Sequence, residues 1–311
     1  MKTISCDYII AGSGVAGLSS ALYAARSGLD SVVIDVSSPG GQVLNIVDLE
    51  NYPGFFPART GTELVKIMSE QAVHFGAKIV QDKISSVDKI GQFFHAHTKD
   101  SEYVAPAFLI ATGATHKKLG IPGEKEFSNR GVSYCAVCDG PFFRDKNIIV
   151  IGGGNSACSE ALYLASLTEH VTILHRRENF RADFLLSERV KKSKNISVKF
   201  STLAKEIRGT NRVQSVVAQD SVTGQSEELS CDAVFIFVGM EPCTELFDML
   251  PKDSQGFFLT NNKMETQVPG LYCAGDVRSK EFRQIVTAVS DGATAAHFAT
   301  EYVRSILGTT K

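Results

Sequence analysis

The chain has 311 residues, 43% hydrophobic and 21% charged, with 34 acids against 32 Lys and Arg for a net charge of -2. Such a length accommodates two ordinary domains, and the composition is that of a folded globular protein. There is no basic excess to neutralise nucleic-acid phosphates, and apolar runs such as Ala233 to Val238 fall far short of the roughly 18 residues that cross a bilayer.

No signal peptide precedes the first strand, which predicts a cytoplasmic setting where Cys6, Cys158, Cys231, Cys243 and Cys273 stay reduced. That strand, Asp7 to Ala11, runs into Gly12-Ser13-Gly14-Val15-Ala16-Gly17 and then a helix of small and apolar spacing from Leu18 to Arg26. Glycines so placed permit a tight turn and let a pyrophosphate approach the backbone at a helix N-terminus. A second strand, Ser31 to Ile34, ends in Asp35, 23 residues after Gly12, where a carboxylate can accept hydrogen bonds from a ribose 2′-hydroxyl. The succession predicts a dinucleotide site using Gly12, Ser13, Gly14, Ala16, Gly17 and Asp35.

Further on, an apolar strand from Ala107 to Ala111 leads into Thr112-Gly113, and Cys135-Ala136-Val137-Cys138-Asp139 follows. Two thiols three residues apart can close a small reversible disulfide. A closed zinc site needs four ligands, and no second CxxC or nearby Cys/His cluster supplies them, so redox work is favoured and no metal is expected. The first pattern then recurs: strand Asn147 to Ile151, turn Gly152-Gly153-Gly154-Asn155-Ser156-Ala157, and a helix continuing through Ala161 to Ser166. Ala157 stands for the third glycine, as the fingerprint allows. The residue 23 places after Gly152 is His175, followed by Arg176, Arg177 and Arg181, where the first site has its acid. Guanidinium groups suit a 2′-phosphate that a carboxylate would repel. FAD and NADPH satisfy such a pair of sites.

The strand Ala233 to Val238 runs into Gly239-Met240-Glu241-Pro242, Gly270 to Asp276 reads as strand and turn, and Gly292 to Ile306 as a helix rich in small residues. With no third fingerprint near it, this tail returns to complete the first domain. The expected organisation is nested: residues 1-114 and 242-311 for FAD, and residues 115-241 for NADPH and the CxxC.

Together these motifs resemble the low-molecular-weight thioredoxin reductases over essentially the whole chain. The resemblance is carried by Gly12 to Gly17, Gly40-Gly41-Gln42, Glu50 to Gly54, Ala111-Thr112-Gly113, Cys135 to Gly140, Gly152 to Ala157, His175 to Arg177 with Phe180-Arg181-Ala182, Gly275-Asp276-Val277 and Arg283-Gln284. It implies an α/β fold of two Rossmann-like, three-layer ββα domains, the NADPH domain inserted into a discontinuous FAD domain. Gly40, Gly41, Gln42, Asn51, Thr112, Gly113, Gly239, Gly275, Asp276, Arg283, Gln284 and Ile285 would join the first fingerprint as cofactor contacts, with Asp276 near the ribityl chain and the start of the last helix near the isoalloxazine. Gly152, Gly154, Asn155, Ser156, Ala157, His175, Arg176, Arg177 and Arg181 would hold NADPH.

By the same resemblance, electrons pass from NADPH through FAD to the Cys135/Cys138 disulfide and on to thioredoxin. Cys138 would face the flavin, Cys135 would attack the partner, and Asp139 would give or take the proton that each disulfide opening requires. A homodimer is also implied. A ferredoxin-type or flavodoxin-type NADP reductase needs no dithiol, and an alkyl-hydroperoxide reductase flavoprotein would need an added N-terminal dithiol domain, for which a fingerprint starting at Gly12 leaves no room. A glutaredoxin-like or peroxidase-system partner, and a non-catalytic redox sensor, stay open.

Overall fold

The computed structural model describes residues 2–46 and 49–308, apart from the side chains of Val137 and Cys138. Two compact units divide the chain: one runs up to Thr115 and resumes at Glu241, and the other is His116–Met240.

The first unit starts with β1 (Lys2–Ser5), β2 (Tyr8–Ala11), α1 (Val15–Arg26), β3 (Ser31–Asp35), α2 (Gly61–His74) and β4 (Lys78–Gln81). β5 (Ser86–Ile90), β6 (Phe93–His97), β7 (Ser101–Ala105) and β8 (Ala107–Ile110) follow. β8, β2, β3 and β4 lie parallel in one sheet, while β5, β6 and β7 form an antiparallel meander with β1 beside β7. Side chains alternate along a strand, so each central strand serves two cores. Tyr8 and Ile10 pack with Leu18, Ala21 and Met68 of the helices, whereas Ile9 and Ala11 pack with Phe94, Ala96 and Tyr103 of the meander. A parallel sheet covered on both faces requires continuous apolar strands, which is why these segments read so clearly in sequence.

β9 (Ala114–His116) leads into the second unit, which holds β10 (Val132–Ser133), α3 (Ala136–Asp139), β11 (Ile148–Gly152), α4 (Asn155–Ala165), β12 (Val171–Leu174), α5 (Phe184–Lys192) and β13 (Ile196–Lys199). It continues through β14 (Thr202–Gly209), β15 (Val213–Asp220), β16 (Ser226–Ser230) and β17 (Ala233–Phe237), and the chain leaves by β18 (Met240–Pro242), which pairs with β9. The layering repeats. A parallel sheet in the order β10-β17-β11-β12-β13 puts Ile148 and Val150 against Ala157, Ala161 and Leu164, and Ile149 and Ile151 against Val213, Val216 and Ala218 near the antiparallel β14-β15-β16.

Back in the first unit, β19 (Leu271–Cys273) adds a parallel strand beside β8, and α6 (Ile285–Leu307) packs on α1. A Cβ added at Gly292 would lie 2.0 Å from the Ala16 carbonyl oxygen, so the small residues of α6 serve close helix contact. α6 begins seven residues before the small-residue stretch that starts at Gly292. Its first turns are rich in β-branched residues, which lower helix propensity, but Ile285 and Val289 pack on the core and that burial prevails. Each unit is thus a three-layer ββα fold of Rossmann-like type, the second inserted into the first. Among the described residues no helix is long and apolar enough to cross a membrane.

Candidate cofactor and dithiol sites

The first glycine turn joins β2 to α1. Gly12 has φ +107°, and a Cβ there would sit 2.3 Å from the Ala111 carbonyl oxygen at the end of β8, so only glycine fits. Gly17 lets α1 close onto the turn, since its added Cβ would be 1.9 Å from the Gly12 carbonyl oxygen. Above Gly14 nothing lies within 4 Å of an added Cβ, so the N-terminus of α1 opens onto free space. Gly40 runs beside it, donating its N–H to the Ser13 carbonyl at 2.9 Å and bridging Gly14, before Gly41 starts a short helical turn. Ala16 is buried behind, with the added Cβ of Gly275 2.9 Å from its own.

Asp35, at the end of β3, accepts the Ser13 N–H at 2.6 Å and the Ser13 hydroxyl at 2.7 Å on Oδ2. Its Oδ1 accepts the Ser37 N–H at 3.0 Å and the Ser37 hydroxyl at 3.1 Å. The acid that spacing assigns to a ribose therefore also ties β3 to the glycine turn, and a ribose hydroxyl would share it. Asn51 donates its side-chain amide to Gln284 Oε1 at 3.0 Å, and Gln42 donates to the Ala114 carbonyl. The Thr112 hydroxyl donates to the Cys243 carbonyl at 2.6 Å, and the Gly113 carbonyl accepts the Cys243 N–H at 3.0 Å. In the second unit the Gly239 carbonyl accepts the Lys117 N–H at 2.9 Å. The polar groups of these last three residues engage the chain crossings.

Behind β19, the Gly275 N–H donates to Asp291 Oδ2 at 3.2 Å. Asp276 Oδ1 and Arg283 Nε are enclosed without a hydrogen-bond partner among the described residues. Lys280 Nζ approaches that Asp276 oxygen to 3.3 Å, and the Arg283 guanidinium lies 3.9 Å over the Phe257 ring. Gln284 donates its N–H to Thr287 Oγ1 at 3.1 Å, and Ile285 begins α6. An enclosed acceptor and an enclosed donor left open, beside a glycine turn with space before a helix N-terminus, fit a phosphorylated polyhydroxyl group such as FAD.

The second turn is built likewise, with space above Gly154 and Ala157 fully buried. Asn155 is engaged by Asp183, donating to Oδ2 at 2.9 Å and accepting the Asp183 N–H at 2.7 Å, while Ser156 is exposed. His175 stands apart from its arginine neighbours. It is 4% exposed, stacked on Phe180 at 5.8 Å, and its Nε2–H donates to the Asn179 carbonyl at 3.0 Å. A Cβ at Gly153 would fall 2.2 Å from His175 Nδ1, so the ring fills the space beneath the turn. Burial holds the imidazole below its usual range, and Arg181, Arg177 and Arg176 push the same way. A neutral ring so placed brings no charge to a phosphate; it supports the turn. Arg176, Arg177 and Arg181 are exposed and form no ion pair among the described residues. Arg177 and Arg181 line an open depression with Glu178, Asn179 and Phe180, and the Arg181 N–H anchors that segment to the Gly153 carbonyl at 2.7 Å.

Cys135 precedes α3 and is disulfide-bonded. The side chain of Cys138, the other half of the sequence pattern, lies outside the described residues. Ser133 Oγ accepts the Cys135 N–H at 3.1 Å and donates to the Cys135 carbonyl at 3.2 Å, which fixes the backbone entering α3. Asp139 is half-buried and makes no capping hydrogen bond to the turn that follows it. The sequence motifs did not reveal the support before Cys135. Tyr134 donates its hydroxyl to Glu124 at 2.6 Å, Lys118 Nζ sits 3.3 Å from the Tyr134 ring centroid, and Glu124 also accepts the Leu119 and Gly120 N–H groups. Cys6, Cys158, Cys231, Cys243 and Cys273 are free thiols, and burial pushes Cys158 up to about 11 and Cys6 and Cys231 up to about 12. Such thiols are poor nucleophiles.

Two dinucleotide turns and a disulfide within one chain define a class, and comparison with known proteins agrees. The model of the pyridine nucleotide-disulphide oxidoreductases matches residues 6–292, and the chain belongs to that family of oxidoreductases, whose cofactors here are FAD and NADPH. More narrowly, it is similar to proteins named thioredoxin reductase: 49% identical to that of Treponema pallidum, over 96% of this chain and 98% of the relative, and 43% identical to that of Bacillus subtilis, over 98% and 97%. The crystal structure of Lactococcus lactis thioredoxin reductase superposes with a TM-score of 0.94 at 42% identity, covering 96% of this chain and 99% of that one.

Proposed function

We propose that the protein is an NADPH-dependent thioredoxin reductase that carries two electrons to the disulfide of oxidised thioredoxin through Cys135 and Cys138. The observation that carries this reading is the disulfide-bonded Cys135 of a CxxC-Asp segment, in the same unit as an arginine-flanked dinucleotide turn. FAD, with NADPH as its reductant, supplies the two-electron chemistry that opens the disulfide. In the first unit the turn at Gly12 to Gly17 and Gly40-Gly41 receives the FAD diphosphate, and Asp276 and Arg283 take the ribityl and phosphate side. In the second unit the turn at Gly152 to Ala157 receives NADPH, and Arg176, Arg177 and Arg181 bind the 2′-phosphate, which favours NADPH over NADH.

In the reduced protein the Cys135 thiolate attacks the partner disulfide. One partner sulfur leaves and takes a proton, for which Asp139 is the donor, since its carboxyl follows the second thiol and is not used as a cap. Asp139 next takes the Cys138 proton, the Cys138 thiolate attacks Cys135 Sγ to restore the internal disulfide, and that proton passes to the second partner sulfur as it leaves. Two electrons and two protons reach the partner. A homodimer in the cytoplasm belongs to the same proposal, supported by the resemblance to the family and by the apolar Tyr23, Ile67, Val73 and Phe75 exposed on and beside α1 and α2.

The test is steady-state NADPH oxidation with oxidised thioredoxin. Turnover of many equivalents is expected, whereas a non-catalytic redox sensor would stop after one.

A further inference from the structure

Three charged side chains, Asp291, Arg278 and Lys280, gather behind the candidate flavin contact Asp276, and no sequence motif announces them. Asp291, on the second turn of α6, is 7% exposed. Its Oδ1 accepts from the Arg278 guanidinium at 3.1 Å, and its Oδ2 accepts from Lys280 Nζ at 3.1 Å and from the Gly275 N–H at 3.2 Å. Arg278 is held in turn by Thr260 Oγ1 at 2.8 Å. The Lys280 side chain, 9% exposed, also reaches Thr287 Oγ1 on the first turn of α6 at 3.4 Å and Asp276 Oδ1 at 3.3 Å.

The contact between Lys280 and Asp276 differs from the others. The two charges are close enough to compensate each other, yet Asp276 Oδ1 accepts no hydrogen bond there and stays enclosed and open. The Asp276 side chain is 42% exposed, so without that neighbouring charge its carboxylate would be drawn to rotate toward solvent. Lys280 removes that drive while leaving the oxygen free for a hydroxyl donor. With two carboxylates and two cations, the cluster is balanced only while Lys280 is present.

We infer that Lys280 is a positioning residue for the flavin dinucleotide, holding Asp276 fixed relative to the first turns of α6 while leaving its Oδ1 free to accept from the cofactor. The inference rests on the reading of Asp276 as a flavin-dinucleotide contact. Arg278 cannot replace Lys280 in this role, because its hydrogen bonds go to Asp291 and Thr260.

The test uses holoenzyme carrying Lys280→Met, Asp276→Asn or both, and follows FAD release on dilution by the rise in flavin fluorescence. Each single variant should release FAD on the order of tenfold faster, as expected for a hydrogen bond to a charged group lost from an enclosed site. The double variant should release it no faster than Asp276→Asn alone, because Lys280 acts through that carboxylate. A wild-type release rate for Lys280→Met, beside fast release from Asp276→Asn, would overturn the inference alone, and so would a double variant showing the product of the two single effects. A wild-type rate for Asp276→Asn would overturn the flavin-site reading and the inference with it. If Lys280→Met does not fold, Lys280→Gln removes the charge but retains a donor for Asp291 and Thr287, and the same outcomes apply.

Discussion

Replacing Glu160 with Gln should remove part of the pH dependence of stability. Glu160 lies on α4, one turn before Tyr163 and Leu164, which with Leu167 crowd Gly140 just after the CxxC. Its Oε2 is enclosed without a hydrogen-bond partner among the described residues, and burial raises the carboxyl from 4.5 to about 7. The folded protein therefore holds this proton more tightly than the unfolded chain. The resulting stability is complete below the unfolded value and is lost as pH rises toward about 7. One pKa unit corresponds to about 1.4 kcal/mol, so the whole window represents roughly 3 kcal/mol. Gln keeps the shape and polarity but does not ionise. Urea unfolding of both proteins, followed by circular dichroism from about pH 5 to about pH 8, should show the stability gap moving by roughly 2 to 3 kcal/mol in favour of Glu160→Gln as pH rises. A gap constant within about 0.5 kcal/mol would mean that the carboxyl is not enclosed in this way.

Removing Arg176 and Arg177 together should raise the Michaelis constant for NADPH far more than for NADH, by about 1.5 to 3 kcal/mol per lost charged hydrogen bond; equal effects on the two coenzymes would exclude a phosphate role. Gly153→Ala should destabilise the second unit by about 1 to 3 kcal/mol, because the new Cβ would displace the His175 ring. Gly154→Ala meets nothing within 4 Å and should leave the unfolding midpoint unchanged while weakening NADPH binding, and titration with NADPH separates the two variants. Asp139→Asn should slow thioredoxin reduction by roughly a hundredfold or more while flavin reduction by NADPH keeps its rate; unimpaired thioredoxin turnover would remove Asp139 from the proton path.

Much of the fold is legible because the central strands are buried on both faces. Tyr8 to Ala11 and Ile148 to Gly152 read as apolar runs followed by glycine, and the equal 23-residue offsets to Asp35 and His175 mark one unit used twice. The outer antiparallel strands leave a weaker trace. Ser226–Ser230 carries one half-buried Leu among exposed polar residues, so no apolar alternation announces it, and that layer was expected from the resemblance alone. Spacing placed His175 at the end of β12 but did not say which way its ring turns; the missing side chain at Gly153 draws it inward. Lys280 and Asp291 were silent in the sequence for another reason. Their meaning comes from a strand end and a helix start meeting, and neither residue belongs to a periodic pattern.

The central claim, that the dithiol stands between the flavin and the protein substrate, is tested most directly by Cys135→Ser and Cys138→Ser holoenzymes in rapid mixing. With NADPH alone, both should bleach the flavin at the wild-type rate, since the dithiol lies downstream. With oxidised thioredoxin added, neither should release thioredoxin dithiol above background. Normal thioredoxin turnover by either variant would contradict the relay.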